Sequence, residues 1–318
     1  MSTPLIEFDA VTKIYRKGFT ARKVPAVVDL SLAVQQQCIT GFVGPNGAGK
    51  TTSIKMLLGL VRPTSGTIRL RGTDTSLPAA RRGVAYVSEQ PYFYEHLTAE
   101  EALAFAYRLG KQAPAKINDE IARVLDKVNL ERARKKRVNA MSKGMQQRLS
   151  LARALLGSPD AFIMDEPMSG LDPPGRALFR EIFKELAAGG ASIFFSSHIL
   201  DDVESLCEDV IVLSNGRLTY RGAVASLLEK GTGGTEIVAE SVGEDVIARL
   251  KDLGCSVRAR PKSELHVFVP PEADPTACTK LLCSGDAYCK SISPFRKSLE
   301  ELLYGPGGVR GSEGTTGS

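Results

Sequence analysis

The fold is decided by one glycine-rich stretch, Gly44-Pro45-Asn46-Gly47-Ala48-Gly49-Lys50-Thr51-Thr52. It fits the pattern G-x-x-x-x-G-K-[ST], and it lies between an apolar strand-like segment and apolar residues at helical spacing, which is the context that a phosphate-binding loop requires. Its glycines allow successive backbone N–H groups to face an anion at the positive end of a helix. We expect Lys50 to reach the β- and γ-phosphate oxygens and Thr51 to ligate Mg²⁺. A kinase, a GTPase and a transport ATPase remain open at this point.

Strands and helices alternate on both sides of this loop. Periodicity predicts short strands at 5–8, 30–34, 39–43, 161–164 and 192–195, and helices at 51–61 and 176–188. The polar and basic segment 16–25 is predicted to be a loop or the tip of a hairpin. A helical segment is predicted over about 91–156, and Asn215-Gly216 predicts a hairpin turn. This alternation favours an α/β core with a mainly parallel sheet.

A second, smaller domain follows the first. The first domain is predicted to cover 1–230, and the glycine-rich segment 231–234 is predicted to be a linker. Residues 235–304 have the order strand-helix-strand-strand-helix-strand, which indicates a small α+β domain of ferredoxin-like arrangement. The Gly-, Ser- and Thr-rich tail 305–318 has no periodicity and is predicted to be disordered.

The composition limits the functional classes. The chain has 318 residues, 43% of them apolar, and a net charge of +5, which does not demand a nucleic-acid partner. No apolar stretch reaches the roughly 18–20 residues that span a bilayer, and the N-terminal sequence does not resemble a secretory signal. We therefore expect any role at a membrane to depend on docking. The six cysteines include no CxxC pair and are expected to be free thiols.

Two adjacent acids follow the apolar segment 161–164. We expect Asp165, at the end of this strand, to hold Mg²⁺ through water. Glu166 would then lie next to the position of an attacking water molecule. Paired acids can also simply end a strand, but the phosphate loop elsewhere in the chain favours the catalytic interpretation.

With these motifs in order, residues 5 to about 225 resemble an ATP-binding cassette (ABC) ATPase, a P-loop NTPase with a helical subdomain. The resemblance implies that Tyr15 stacks on adenine, that 169–172 (SGLD) contacts a partner subunit, and that His198 touches the γ-phosphate. The family signature LSGGQ appears here as 141–148 (MSKGMQQR). Its Ser142 and Gly144 resemble the γ-phosphate clamp, whereas Lys143 and Met145 depart from the pattern; Lys143 either adds a cation there or faces solvent.

The glutamine that contacts Mg²⁺ and water in this family falls by spacing on Glu89. Gln90 follows one place later, and a slip of one residue would restore a glutamine to the role. Both residues are therefore retained as candidates, with Glu89 favoured. A carboxylate at this position would lie close to Asp165, Glu166 and the phosphates.

The resemblance also implies an assembly. Two copies would close head to tail on two ATP molecules with Mg²⁺, as a homodimer at the cytoplasmic face of the cell membrane. A separate transmembrane permease would be the partner, and the aromatic segment 91–94 (PYFY) is a candidate docking surface. The signature variant, this segment and the small C-terminal domain resemble export-type cassettes. A cassette ATPase of translation or DNA repair is the alternative, but the chain shows neither a second cassette nor a long coiled-coil insertion, and no nucleic acid is expected.

Overall fold

A computed structural model describes residues 3–17, 22–110, 114–230, 232–260, 264–283, 287–296 and 299–304. The chain divides into two compact units, Met1–Val224 and Ala225–Ser318. The predicted disordered tail, 305–318, lies outside the described residues.

The described residues of the first unit form both strands and helices. The strands are β1 (Ile6–Lys17), β2 (Arg22–Val34), β3 (Ile39–Val43), β4 (Ser65–Leu70), β5 (Thr73–Asp74), β6 (Val84–Val87), β7 (Ala161–Met164), β8 (Ser192–Ser197), β9 (Asp209–Ser214) and β10 (Arg217–Ala223). The helices are α1 (Lys50–Leu57), α2 (Ala99–Leu109), α3 (Ile117–Lys127), α4 (Lys143–Ala154), α5 (Pro173–Ala188) and α6 (Leu200–Leu206), and α7 (Val224–Lys230) follows at the division between the units.

The larger sheet of this unit is mainly parallel, as the sequence predicts. Its strand order is β10-β9-β3-β8-β7-β6. Strands β9, β3, β8, β7 and β6 pair in parallel, and β10 pairs with β9 antiparallel. Every residue of β3, β7 and β8 is buried, which is why these strands are continuous apolar runs and do not alternate.

Parallel pairing brings the candidate site residues to one edge of this sheet. The phosphate loop follows β3, Asp165 and Glu166 follow β7, and His198 follows β8. Glu89 lies just beyond β6, which pairs with β7. Because parallel strands end at the same edge, ligand-binding residues of α/β proteins collect there.

A second, antiparallel sheet has the order β2-β1-β4-β5. Residues of this sheet, of α1 and of the larger sheet form one buried core, including Phe8, Leu30, Ile54 and Phe194. Within the segment predicted to be helical, α2, α3 and α4 pack on one another. Helix α2 begins with a capping box, in which Thr98 and Glu101 satisfy each other's backbone N–H groups.

In three places the secondary structure differs from the prediction. The segment 16–25, predicted as a basic loop or hairpin tip, belongs to the antiparallel pair of β1 and β2, but it is largely strand, because β1 continues to Lys17 and β2 begins at Arg22; residues 18–21 lie outside the described part of the chain. Helix α1 ends at Leu57 instead of residue 61, and Gly59 beyond it has a φ of 67°, a left-handed conformation that a helix cannot continue through. Residues 232–234, predicted as linker, begin a strand.

The second unit has the predicted ferredoxin-like arrangement. Its elements are β11 (Thr232–Glu240), α8 (Glu244–Asp252), β12 (Ser256–Arg260), β13 (Glu264–Val269), α9 (Pro275–Cys283), β14 (Tyr288–Arg296) and α10 (Leu299–Tyr304). The sheet order is β12-β13-β11-β14, with each pair antiparallel. Its core includes Ile237, Leu250, Val267 and Leu282.

Candidate functional site

The phosphate loop has a backbone that only glycine accommodates at its end. Gly49 has a φ of 103°, and a Cβ there would lie 2.5 Å from the carbonyl oxygen of Ala26. Gly47 has a φ of 82°, with open space where its Cβ would be. Helix α1 begins directly after Gly49, without a capping side chain. Its first N–H groups therefore lack intrahelical acceptors and are available to an anion.

Lys50 is folded onto this loop. Its Nζ donates to the carbonyl oxygen of Gly44 at 2.6 Å and lies 3.4 Å from Oε1 of Glu166, and the residue is only 6% exposed. A buried ammonium needs such acceptors. A phosphate oxygen arriving at the loop offers Lys50 a charged acceptor in place of the carbonyl.

Glu166 lies between Lys50 and His198. While its Oε1 faces Lys50, its Oε2 is 2.7 Å from Nδ1 of His198. Glu166 is 8% exposed and has a φ of 48°. A left-handed glutamate is strained, and such strain concentrates at functional sites. Glu166 and His198, which the sequence analysis expects at the reacting phosphate, are thus in direct contact.

Ser196 hydrogen-bonds to both Asp165 and Glu166, and no motif in the sequence pointed to it. Its Oγ donates to Oδ1 of Asp165 at 2.7 Å and accepts from the backbone N–H of Glu166 at 2.9 Å. Both Ser196 and Asp165 are buried. Ser196 lies on β8, next to β7 in the sheet, so the contact depends on strand order, which motif spacing does not reveal.

We predict that Ser196→Ala lowers kcat for ATP hydrolysis roughly tenfold, because the loss of this hydrogen bond frees both carboxylates from their fixed positions. ATP affinity should be unchanged. Unfolding stability should fall by about 1–3 kcal/mol, since the N–H of Glu166 loses its acceptor. The control is Ser192→Ala on the same strand, where Oγ of Ser192 accepts from the N–H of Gln37 at 2.8 Å. Equal kcat in the two variants at similar stability would contradict the role of Ser196.

Between the two candidates Glu89 and Gln90, the structure brings only Glu89 to the cavity beside the phosphate loop. The side chain of Gln90 is not among the described residues that line it, and the carbonyl oxygen of Gln90 accepts from Oγ of Ser88. Both side chains are exposed. The position favoured by spacing is therefore also the one favoured by geometry.

This cavity has a volume of about 570 Å³, within the range of small-ligand sites. Its described lining residues are Tyr15, Val24, Pro25, Ala26, Pro45, Asn46, Gly47, Ala48, Gly49, Lys50, Thr51, Thr52, Glu89, Glu166 and His198. Tyr15 is 39% exposed, pairs across the β-hairpin with Val24, and has Nζ of Lys13 5.0 Å from its ring centroid. Its ring is thus accessible to the adenine of a nucleotide. Residues 24–26 form one wall of the cavity, and the sequence analysis did not predict them as site residues.

The oxygen atoms at this site suit a hard divalent cation. Thr51, Glu89 and Asp165 offer a hydroxyl and carboxylates, the donors that Mg²⁺ prefers. No group of three or more His, Cys, Asp or Glu side chains able to hold a metal occurs among the described residues. Mg²⁺ commonly binds through one or two carboxylates together with substrate phosphates. Burial, followed by the charge of Asp165, raises the pKa of the nearby Tyr86 to about 12, so this phenol stays neutral.

The signature turn is located at the start of α4, away from this cavity. Ser142 is the N-cap of α4, and its Oγ accepts from the backbone N–H of Met145 at 3.3 Å. Neither Ser142 nor Gly144 is among the described lining residues. The Lys143 side chain lies across Gly170 of the SGLD loop, since a Cβ on Gly170 would be 2.9 Å from Cε of Lys143. Lys143 is exposed, but its stem packs on the neighbouring loop.

A family model described as ABC transporter matches residues 27–169. An uncharacterized ABC transporter ATP-binding protein of Synechocystis sp. (strain PCC 6803) is 40% identical over 77% of this chain and 70% of the relative. The chain belongs to the ABC transporter ATP-binding family. Its first unit is an ABC ATPase cassette, and this family membership makes the chain an ATP-hydrolysing enzyme.

Other relatives of this ABC cassette extend the comparison. An uncharacterized ABC transporter ATP-binding protein of Nostoc sp. (strain PCC 7120) is 44% identical over 68% of this chain, and the match spans 65% of that relative, just under two thirds of its length. A Nod factor export ATP-binding protein I of Paraburkholderia xenovorans is 37% identical over 80% of this chain and 81% of that protein.

Solved structures share the cassette fold. One described as the ATP-binding subunit of an ABC transporter has a TM-score of 0.63 and 32% identity, and covers 71% of this chain and 92% of that one. Another, described as the dimeric structure of a bacterial ABC transporter cassette, has a TM-score of 0.64 and 22% identity, and covers 69% and 98%. At that identity it supports the fold alone.

Among the described residues of this cassette chain, no helix has both the length and the apolar character needed to cross a membrane.

Proposed function

We propose that two copies of this cassette hydrolyse Mg²⁺-ATP and drive a separate transmembrane permease that exports its substrate, with the cassettes at the cytoplasmic face of the membrane. The observation that carries the catalytic part is the position of Glu166, whose carboxylate is shared between Lys50 and His198. Because Lys50 and His198 can both contact the γ-phosphate, the carboxylate between them would lie next to the water molecule that attacks it.

In this proposal Lys50 acts first. A γ-phosphate oxygen replaces the carbonyl of Gly44 as the acceptor of its ammonium, because a charged acceptor is the stronger one. Oε1 of Glu166, now 3.4 Å from Lys50, is then free to accept a hydrogen bond from water. His198 would keep its contact with Oε2 through Nδ1, and its ring, which lines the cavity, would face the phosphate and stabilise the charge that develops there.

Thr51, Asp165 and Glu89 would hold the magnesium ion together with the phosphates. The ion neutralises phosphate charge during transfer. Ser196 fixes Asp165 for this task through its 2.7 Å hydrogen bond. Gln90, which is not among the described lining residues of the cavity, is not part of this proposed set.

A second copy would complete each site. Ser142 caps α4 and Gly144 lies in its first turn, and neither backbone N–H has an acceptor among the described residues. Neither residue is among the described residues that line the cavity of their own chain. A helix N-terminus of this kind favours phosphate. A head-to-tail homodimer brings this turn over the partner's nucleotide, and the dimeric cassette described above has the same fold.

The permease would dock on an apolar groove of the helical segment. A cavity of about 270 Å³ is lined by Tyr92, Phe93, Tyr94, Leu97, Ala102, Phe105, Ala106, Leu109 and Arg153. Tyr92 is 77% exposed and Leu109 is 68% exposed, an unusual cluster for a monomer surface. The Arg153 guanidinium lies 4.7 Å from the centre of the Phe93 ring and donates to the carbonyl oxygen of Tyr92. This contact supports the floor of the groove, and an amphipathic helix from the permease fits it.

We predict that Phe105→Asp prevents co-purification with the permease, since a carboxylate placed in this groove cannot be buried against an apolar helix. ATP binding to the isolated chain should be unchanged. Leu60→Asp is the control, because Leu60 is 65% exposed and is not among the residues lining the groove. Affinity capture from detergent-solubilised membranes followed by mass spectrometry measures the difference. Equal capture by both variants would place the docking surface elsewhere.

The direction of transport is supported by the relative named for Nod factor export, which aligns over most of both chains. ATP-dependent uptake of substrate into inside-out vesicles, with none into right-side-out vesicles, is the expected result. The same affinity capture tests the transport role itself. A polytopic membrane protein among the captured partners supports the proposal, whereas ribosomes or DNA in its place would contradict it.

A further inference from the structure

A fully buried carboxylate, Asp202 on α6, is only half satisfied. Its Oδ1 accepts from Nη2 and Nε of Arg180 at 2.5 and 3.1 Å. Its Oδ2 has no hydrogen-bond partner among the described residues, and Nη1 of Arg176 lies 3.9 Å away. Asp202 is 0% exposed. An incompletely bonded buried charge destabilises a fold, so its presence requires an explanation.

The two arginines and Asp202 connect two functional loops. Arg176 and Arg180 lie on successive turns of α5, which begins directly after Asp172 of the SGLD loop. Oδ1 of Asp172 accepts from the N–H of Gly175 at 3.1 Å, so loop and helix are joined rigidly. On the other side, α6 begins two residues after His198, and Asp202 lies in its first turn.

Arg176 also has room to move. A cavity of about 260 Å³ is lined by Leu171, Pro173, Arg176 and Arg180. Leu171 belongs to the SGLD loop, so a displacement of that loop changes the space that the Arg176 side chain occupies. A movement of about 1 Å closes the present 3.9 Å separation from Oδ2 to hydrogen-bonding distance.

We propose that Asp202 is a positioning residue that couples the SGLD loop to His198. When the SGLD loop contacts the second copy, Arg176 completes the hydrogen bonding of Oδ2, and α6 then keeps His198, already 2.7 Å from Glu166, in place against the phosphate. This inference rests on the proposed homodimer and extends it. It assigns the arginine pair a role in transmitting subunit contact to the reacting groups, through the contacts that run from Asp172 along α5 to Asp202 on α6.

The test compares Arg176→Met and Asp202→Asn in the purified full chain with Mg²⁺-ATP. Both should lower kcat roughly tenfold to hundredfold, the effect of a small misplacement of a reacting group, with KM for ATP unchanged because the phosphate loop is untouched. Arg176→Lys, which keeps a cation within reach of Oδ2, should restore a measurable part of kcat. The double variant should lose no more than the stronger single one, as expected for two residues acting through one contact.

Glu120→Gln provides the matched control. Glu120 on α3 accepts from Nε and Nη2 of Arg123 at 2.9 and 2.7 Å and from the N–H of Gly157. It is thus a similarly paired carboxylate outside the proposed path. The Glu120→Gln substitution should lower Tm without changing kcat. A kcat that falls only in proportion to Tm in all variants, or that stays at the wild-type value in Arg176→Met, overturns the coupling. A wild-type chain that does not hydrolyse ATP would instead overturn the proposed function.

Discussion

The Glu166→Gln variant is expected to bind ATP normally and to hydrolyse it about 10²–10⁴-fold more slowly, the usual contribution of a general base. The amide has the shape of the carboxylate and still accepts from His198, which contacts Oε2 at 2.7 Å. It cannot take a proton from water. Binding survives because the substitution leaves Lys50 unchanged, and its ammonium still exchanges the carbonyl of Gly44 for a phosphate oxygen.

Phosphate release at saturating Mg²⁺-ATP measures this loss, and equilibrium binding of a fluorescent ATP analogue measures affinity. Glu181→Gln, an exposed glutamate on α5, is the control and should behave as wild type. Hydrolysis in Glu166→Gln at the wild-type rate would remove Glu166 from the role of base.

The Lys50→Met variant is expected to weaken ATP binding itself, and to lower hydrolysis with it. Lys50 is the only lysine or arginine among the described residues that line the nucleotide cavity, where Glu89 and Glu166 are negative. The substitution keeps the buried stem and removes the charge, so the site then repels a triphosphate. Affinity should fall roughly tenfold to hundredfold, the value of a hydrogen bond to a charged group.

Isothermal titration with ATP and Mg²⁺ checks this loss. The control is Lys55→Met on the same helix, since Lys55 is exposed and is not among the described residues that line the nucleotide cavity. A loss of affinity equal in the two variants would show that only the net charge of the chain matters. Unchanged affinity in Lys50→Met would contradict the assignment of the phosphate site.

Local motifs predicted the parts of the site that are encoded within one segment. The phosphate loop, the Asp165-Glu166 pair and His198 each follow a strand, and the parallel order of those strands brings them together. The ferredoxin-like order of the second unit was also predictable, because the alternation of short strands and helices is explicit in the sequence.

Contacts between segments distant in sequence were not predictable in the same way. Ser196 reaches Asp165 across neighbouring strands, and Ala26 closes the phosphate loop from the β-hairpin. Lys143 could be interpreted as facing solvent or a phosphate until its packing on Gly170 was visible. The half-satisfied Asp202 has no sequence signal, since it is one of three acids on α6, beside Asp201 and Glu204, and such residues are usually exposed.

We propose that two copies of the chain trap the nucleotide between the phosphate loop of one and the Ser142–Gly144 turn of the other. Sedimentation equilibrium of the Glu166→Gln variant tests it most directly, because hydrolysis no longer dissolves the assembly. With Mg²⁺-ATP we expect a particle of twice the 34.2 kDa chain mass, and without nucleotide we expect the single chain. A mass of 34.2 kDa at saturating Mg²⁺-ATP would contradict it.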